Sequence, residues 1–254
     1  MNKMYNLAMK NIAGIILAGG KGSRYSSTKH KFLIEYQGKP LIIKIVEAIK
    51  PVVEKIVVVT CPDNSDIKRT LRNFPDIEYV IQKQPLGTGH ALLSTQQAFE
   101  NTETTILVSY ADKPLITTDT FKKLLDEHKK NNADITIATA ILPIPGSKGR
   151  IIRIDGKFAK VVEAKDADKE TLAIKEVNAG FIVCGSGSIY KELRKISNNN
   201  AAGEYYLTDV YAEYVKDNLK VHLVQIPPEE SCDINSVEEF EGIDQWIRKV
   251  REQN

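Results

Sequence analysis

A three-layer α/β domain is the fold class this sequence predicts, with a smaller β-rich lobe inserted late in the chain. Three observations carry that reading. Apolar, β-branched runs alternate with helical patterns from Ile12 to Ile141. Those runs are continuous rather than alternating, which implies a sheet covered on both faces. Beyond Pro143 the rhythm changes to shorter strands separated by turns.

Taken in order, the strand-like runs of the first part are Ile12–Leu17, Ile56–Thr60, Tyr79–Ile81, Thr105–Ser109 and Ile135–Ile141. Helical patterns fall between them near Leu41–Ile49, Ser65–Asn73, His90–Phe99 and Thr118–Asn131. Thr118 with Phe121 onward, after Thr117, reads as a helix start before an amphipathic run. Pro143-Ile144-Pro145-Gly146-Ser147 is a break. Strands follow at Arg150–Ile154, Val161–Glu163 and Val177–Val183, with Asp155-Gly156 as a hairpin signal. Helices are expected near Ser188–Ser197 and Tyr206–Asn218, then a strand at Val221–Ile226 and a final helix over about 237–251. Residues 1–10 read as a flexible lead-in, and 11–254 as a single domain. There is no internal repeat or low-complexity tract.

Bulk properties narrow the function classes. The 35 basic and 33 acidic side chains leave a formal net charge of +2, too little for a broad field toward nucleic acid or an anionic membrane. No apolar run approaches a membrane span, and residues 1–10 lack the apolar stretch of a signal peptide. Cys61, Cys184 and Cys232 are few, odd in number and widely spaced, so neither a zinc site nor a disulfide framework is indicated. They read as packing residues of a cytoplasmic protein.

Any anion site must then be a local cluster, and the first strand runs into one. Ile15-Ile16-Leu17-Ala18-Gly19-Gly20-Lys21-Gly22-Ser23-Arg24 is followed seven residues later by Lys31. Gly19, Gly20 and Gly22 let successive backbone N–H groups converge on an anion. Arg24 adds a planar fork and Lys31 a point charge. The dinucleotide fingerprint is excluded because Tyr25 stands where its third glycine belongs, and the P-loop because no Gly-Lys-Ser/Thr triplet occurs. Alone, the segment equally suits a basic strand-to-helix turn.

Three further segments sit just past strand-like runs. Gln82-Lys83-Gln84-Pro85-Leu86-Gly87-Thr88-Gly89-His90 offers an amide that both donates and accepts, as a base edge requires, beside glycines that let backbone approach a ring. Tyr110-Ala111-Asp112-Lys113-Pro114 puts Asp112 at the carboxyl edge of the sheet, where open α/β folds bind ligands. Asp112 suits Mg²⁺, which takes one or two protein oxygens and keeps its waters, or a turn ahead of proline. Asp233-Ile234-Asn235-Ser236 offers Asn235 as a metal ligand or a helix cap. His30, His90, His128 and His222 are scattered and read as structural or surface residues.

Together these segments resemble the sugar nucleotidyltransferases. The similarity is nearest to the uridylyltransferase domain of the bifunctional N-acetylglucosamine-1-phosphate uridylyltransferase/glucosamine-1-phosphate acetyltransferases, over about residues 11–240. It extends through Gly149-Arg150-Ile151, Val162-Glu163-Ala164-Lys165-Asp166-Ala167, Glu176-Val177-Asn178-Ala179-Gly180 and the stretch from Asn198 to Asp209, which generic nucleotidyltransferases lack. The Arg24-to-Lys31 spacing also fits this branch; the molybdopterin-guanylyltransferase branch places its lysine closer to the arginine.

The resemblance implies a Rossmann-like nucleotidyltransferase fold with a mixed, mostly parallel sheet. Its nucleotide-binding part would span about 11–142 and its sugar-binding part about 143–235. It implies Arg24 and Lys31 as the catalytic cations on the triphosphate. Leu17, Ala18, Gly19, Gly20, Gly22, Gln82, Gly87 and Thr88 would bind the nucleotide. Gly149, Glu163, Asn178 and Thr208 would line the sugar pocket, with Tyr110, Glu204 and Tyr206 nearby. Asp112 and Asn235 would hold Mg²⁺. The expected substrates are UTP and N-acetylglucosamine-1-phosphate. The same chemistry with GTP or CTP and glucosamine-1-phosphate, and a non-catalytic nucleotide-sugar binding protein, stay open, as does homo-oligomerisation.

The chain departs from the family at several points. Gly19 replaces an alanine, His30 a proline, Ala111 a glycine, and Ser147-Lys148-Gly149 stands for Gly-Tyr-Gly. Lys148 reads as a solvated cation, with contact to a hydroxyl or phosphate of a different sugar as the alternative. No hexapeptide repeats are present, so neither the acetyltransferase activity nor the trimer of the bifunctional members is expected.

Overall fold

The computed structural model describes residues 11–19, 31–100 and 102–234. The expected lead-in, the loop carrying Gly20, Gly22 and Arg24, and Asn235 with the expected final helix lie outside the described residues.

The elements follow the alternation read from the sequence. Strand β1 (Ile12–Ala18) leads to a short hairpin of β2 (Glu35–Tyr36) and β3 (Lys39–Pro40), then α1 (Leu41–Ile49), β4 (Lys55–Thr60), α2 (Ser65–Thr70) and β5 (Ile77–Ile81). Next come α3 (Thr88–Leu93), β6 (Thr105–Tyr110), α4 (Thr118–Lys130) and β7 (Ile135–Ile141). Hairpin β8 (Arg150–Ile154) and β9 (Lys157–Val162) precedes α5 (Lys169–Leu172), β10 (Glu176–Gly185), α6 (Ser186–Leu193), α7 (Val210–Lys216) and β11 (Val221–Gln225).

The main sheet runs β11-β7-β10-β6-β1-β4-β5, with the β8–β9 hairpin attached through β10. Along that path β10 alone runs antiparallel to its neighbours. Alternate strand residues feed two cores, as a period of two requires. Ile16, Val58 and Leu107 pack with Ile42, Ile45 and Ile49 of α1 and Phe121 and Leu124 of α4 on one face. Ile15, Val57 and Val108 pack with Leu92 of α3, Ile189 and Leu193 of α6, and Tyr211 and Tyr214 of α7 on the other. The expected three layers are therefore present.

Departures from the sequence reading have local causes. The helix expected over Tyr206–Asn218 opens with a 3₁₀ turn at Leu207–Asp209 and becomes α-helical from Val210. Leu207 N–H is drawn instead to the Thr88 hydroxyl at 3.0 Å. The helix expected near His90–Phe99 starts earlier, at Thr88, and is interrupted after Leu93. There the Thr95 hydroxyl donates back to Leu92 O at 2.6 Å, a competition typical of hydroxyl residues in helices. Two small elements went unpredicted. The β2–β3 turn uses Gln37 and Gly38, both at positive φ, the geometry of a two-residue hairpin loop. Helix α5 is capped by Asp168, which accepts from Thr171 N at 2.8 Å.

Chain order fixes where a ligand can enter. From β1 the chain builds outward to β4 and β5, then returns to lay β6 on the other side of β1. Strand order thus reverses between β1 and β6, and a crevice opens beyond their carboxyl ends. Ala111 N–H donates to Leu17 O at 3.1 Å, holding the two ends together. Because β10 is antiparallel, its amino-terminal half, with Asn178 and Gly180, reaches the same edge.

Candidate functional site

A cavity of about 260 Å³ opens at this edge. Every residue the sequence assigned to the sugar side lines it: Tyr110, Gly149, Glu163, Asn178, Glu204, Tyr206 and Thr208. Thr88 and Asp112 join them. These come from six stretches of chain, brought together by the ends of β6, β9 and β10, the start of α3 and the loops before β8 and α7.

Of the residues expected to bind the nucleotide, Leu17, Ala18 and Gln82 are buried, Gly87 and Thr88 are half-buried, and Gly20 and Gly22 lie outside the described residues. Leu17 and Ala18 are buried in the end of β1. The Gln82 side chain is buried too; its Nε2 donates to Gly87 O at 3.0 Å and sits 3.0 Å from His90 Nδ1. A Cβ built on Gly19 would lie 2.6 Å from Gln82 Oε1, so glycine leaves room for that amide. Gly87 is pressed against backbone: Gly89 N–H donates to Tyr205 O, and Tyr205 N–H to Leu86 O, each at 2.8 Å. Those two bonds lock the loop 82–90 to the segment that carries Glu204, Tyr206 and Thr208.

On the sugar side, Glu163 accepts from the Thr208 hydroxyl at 2.8 Å. Burial pushes the Glu163 carboxyl above its ordinary range, although that hydroxyl pulls the other way. Burial also raises Tyr110, and takes Tyr206 to about 12 with neighbouring carboxylates adding to it. Both phenols therefore stay neutral and can donate or accept. Asn178 N–H holds Gly149 O at 2.9 Å, and Asn178 Oδ1 accepts from Gly180 N at 3.2 Å. The wall thus mixes hydrogen-bond donors and acceptors.

Lys31 and Asp112 meet as a half-buried ion pair, Nζ to Oδ2 2.5 Å, at the neck between the two sides. Among the described residues no group of three or more His, Cys, Asp or Glu is placed to hold a metal alone. The donor chemistry at Asp112 nevertheless fits Mg²⁺, which asks for one or two hard protein oxygens and completes its shell with water and phosphate. Ile234 N–H donates to Asp112 O at 2.9 Å, so the segment leading to Asn235 is anchored on the same residue.

A family model described as the MobA-like NTP transferase domain matches residues 14–205. The chain belongs to that family. The bifunctional protein GlmU of Clostridium kluyveri is 38% identical over 92% of this chain and 50% of its own length. GlmU of a Geobacillus species is 39% identical over 80% of this chain and 44% of its own. The chain thus spans about half the length of these relatives. A crystal structure from Bacillus anthracis, described as a glucose-1-phosphate thymidylyltransferase in complex with sucrose, superposes with a TM-score of 0.76. It covers 93% of this chain and 95% of its own at 19% identity, a likeness of fold.

Within this transferase fold the structure corrects one reading and adds residues. Lys148 is not a solvated cation: its side chain is 13% exposed and its ammonium pairs with Asp233. Asp233's charge and hydrogen bond hold that ammonium above its ordinary value against the opposing effect of burial. Lys113, Asp233, Ser147 and Gly180 also line the cavity, with no role read for them in the sequence. Burial and the nearby Lys148 lower the Lys113 ammonium. Arg150 is buried behind the loop; it donates to Gly146 O at 2.9 Å and to Lys148 O, fixing the stretch that presents Lys148 and Gly149. The sequence signal for Lys113 was its place beside Asp112; Gly180 was marked only by the Asn178-Ala179-Gly180 match. His90, His128 and His222 take structural partners, Gln82, Thr136 and Glu127, and His30 lies outside the described residues. No helix among the described residues is long and apolar enough to cross a membrane.

Proposed function

We propose that this chain is a Mg²⁺-dependent sugar-1-phosphate nucleotidyltransferase that makes UDP-N-acetylglucosamine and pyrophosphate from UTP and N-acetylglucosamine-1-phosphate. One observation carries the reading. The Lys31–Asp112 pair sits in the crevice at the β1/β6 reversal, directly beside a cavity walled by Glu163, Asn178, Tyr206 and Thr208. Phosphate chemistry and sugar recognition thus share one space. The GlmU relatives at 38–39% identity favour the uridylyl and N-acetylglucosamine pair.

The nucleophile needs no protein base. A phosphomonoester has a second pKa of about 6, so the sugar phosphate is largely dianionic at neutral pH. Its oxygen attacks the α-phosphorus in line, a new P–O bond forms, and the bond to the β-phosphate breaks with pyrophosphate leaving. The protein supplies position and charge. Lys31, with Arg24, binds the triphosphate and offsets repulsion between the two anions. Glu163 accepts from a sugar hydroxyl while Thr208 holds its orientation. Asn178 and Tyr206 fix the ring, and Gln82 keeps the base loop against Gly19. Asp112 and Asn235 would hold Mg²⁺, which supplies charge neutralisation on the phosphates.

Pyrophosphate release over a grid of nucleoside triphosphates and sugar-1-phosphates tests this. Strongest turnover is expected with UTP and N-acetylglucosamine-1-phosphate, and none without a divalent cation. Preference for another pair would move the specificity to Gly19, Ala111 and the Lys148 loop. Absence of turnover with every pair would refute the enzyme reading.

A further inference from the structure

Two lysines reach one carboxylate at the cavity from different parts of the fold. Lys113 comes from the segment after β6, and Lys148 from the loop before β8. Lys148 Nζ donates to Asp233 Oδ1 and, at 2.8 Å, to Ser231 O. Lys113 Nζ donates to the same Ser231 O at 3.1 Å and lies 3.6 Å from the same Asp233 Oδ1. The lysine side chains are 9% and 13% exposed, and both line the cavity.

The fold makes space for this arrangement. Strand β10 carries an irregularity between Asn178 and Ile182, the kind of bulge that re-aims side chains beside sites. Within it Gly180 has φ +88°, and a Cβ there would fall 2.5 Å from Lys113 Cε. Glycine at 180 is thus what lets the Lys113 stem enter.

Charge counting then points to a ligand. Burying an ammonium is costly unless it is paired. A Lys–Asp pair closes with one lysine, yet here two share Asp233, so this corner of the cavity gathers two ammoniums on one carboxylate, while Asp112, Glu163 and Glu204 line the rest of the wall. The neighbouring carboxylate Asp112 is already engaged by Lys31. Each ammonium has three donors, and Ser231 O and Asp233 orient both heads without matching their charge.

The geometry points to Lys113 and Lys148 as a two-lysine seat for the phosphate of the sugar-1-phosphate acceptor, with Asp233 fixing both ammoniums. This rests on the proposed transferase reading. It divides the cations of the site: Lys31 and Arg24 serve the nucleotide, and Lys113 and Lys148 the acceptor. They would make acceptor binding depend on its phosphate, apart from the hydroxyl contacts of Glu163 and Thr208.

Steady-state kinetics of Lys148→Met and Lys113→Met, varying each substrate in turn, test the seat. Each variant should raise the acceptor KM at least about tenfold, the loss expected for a hydrogen bond to a charged group, while the UTP KM changes less than about threefold. Lys148→Arg keeps the cation and should hold the acceptor KM near wild type. In the wild type, inorganic phosphate should compete with the sugar-1-phosphate and not with UTP, a result independent of any variant's folding. An unchanged acceptor KM with only a lower melting temperature would reduce the lysines to structural anchors and overturn the seat. Equal effects on both KM values, or phosphate competing only with UTP, would overturn it as well. If the wild type turns over no pair, the transferase reading fails first; the seat is then judged by calorimetry, where sugar-1-phosphate must bind more tightly than the free sugar.

Discussion

Replacing Gly87 with alanine probes the joint between loop 82–90, proposed to bind the nucleotide, and the segment 204–208, proposed to bind the acceptor. Gly87 has φ +115° and ψ 174°, a region open essentially to glycine alone. Forcing an L-residue to stay there costs about 1–3 kcal/mol. The added Cβ would also sit 2.5 Å from Tyr205 O and 2.8 Å from Tyr205 N, both backbone atoms that cannot swing aside. Relieving that overlap costs about another 1–3 kcal/mol. It does so by moving the strap in which Gly89 N–H holds Tyr205 O and Tyr205 N–H holds Leu86 O. The sum, about 2–6 kcal/mol, is a large part of the stability of an ordinary domain. At about 2–4 °C per kcal/mol for a chain of this size, the melting temperature should fall by roughly 10 °C. The shift should reach both substrates, because Thr88 and Tyr206 sit on opposite sides of the strap. Differential scanning fluorimetry gives the first number and steady-state kinetics the second. A variant melting within about 2 °C of wild type, with both KM values intact, would refute the claim that this contact sets the loop.

Two further changes probe the chemistry. Asp112→Ala should lower turnover by at least about a hundredfold, the scale of losing one electrostatic element of a transition state; near-normal pyrophosphate release would remove Asp112 from the metal-holding role. Glu163→Gln should raise the acceptor KM about tenfold, since a hydrogen bond to a charged acceptor is lost. The same substitution has a pH signature. Burial raises the Glu163 carboxyl in the folded chain, so its favourable contribution is full below the unfolded carboxyl pKa and is lost as pH rises through the folded one. Glutamine escapes that loss, and Glu163→Gln should melt higher than wild type near neutral pH, with the gain vanishing by about pH 4. A pH-independent difference in melting temperature would refute the burial argument.

Much of the architecture was legible because burial is written locally. Strands covered on both faces must be apolar nearly throughout, and β7 was bounded to the residue by that rule. Hairpin chemistry at Asp155-Gly156 and the helix start after Thr117 are equally local: both turn residues have positive φ, and the structure shows the Thr117 hydroxyl accepting from Thr120 N. The residues of the acceptor wall were reached through motif resemblance, and the fold gathers all seven into one cavity. The sequence determined most of the strands of the main sheet, which loops end at its carboxyl edge and which chemical groups those loops carry. Only the tertiary structure decided which charges meet. Lys148 and Asp233 lie 85 residues apart, and Lys113 and Ser231 lie 118 apart. No local pattern records a pairing that depends on β10 running antiparallel between β6 and β7. Burial follows from side-chain periodicity within one element, whereas the partner of a buried ammonium follows from the order in which the elements are laid down.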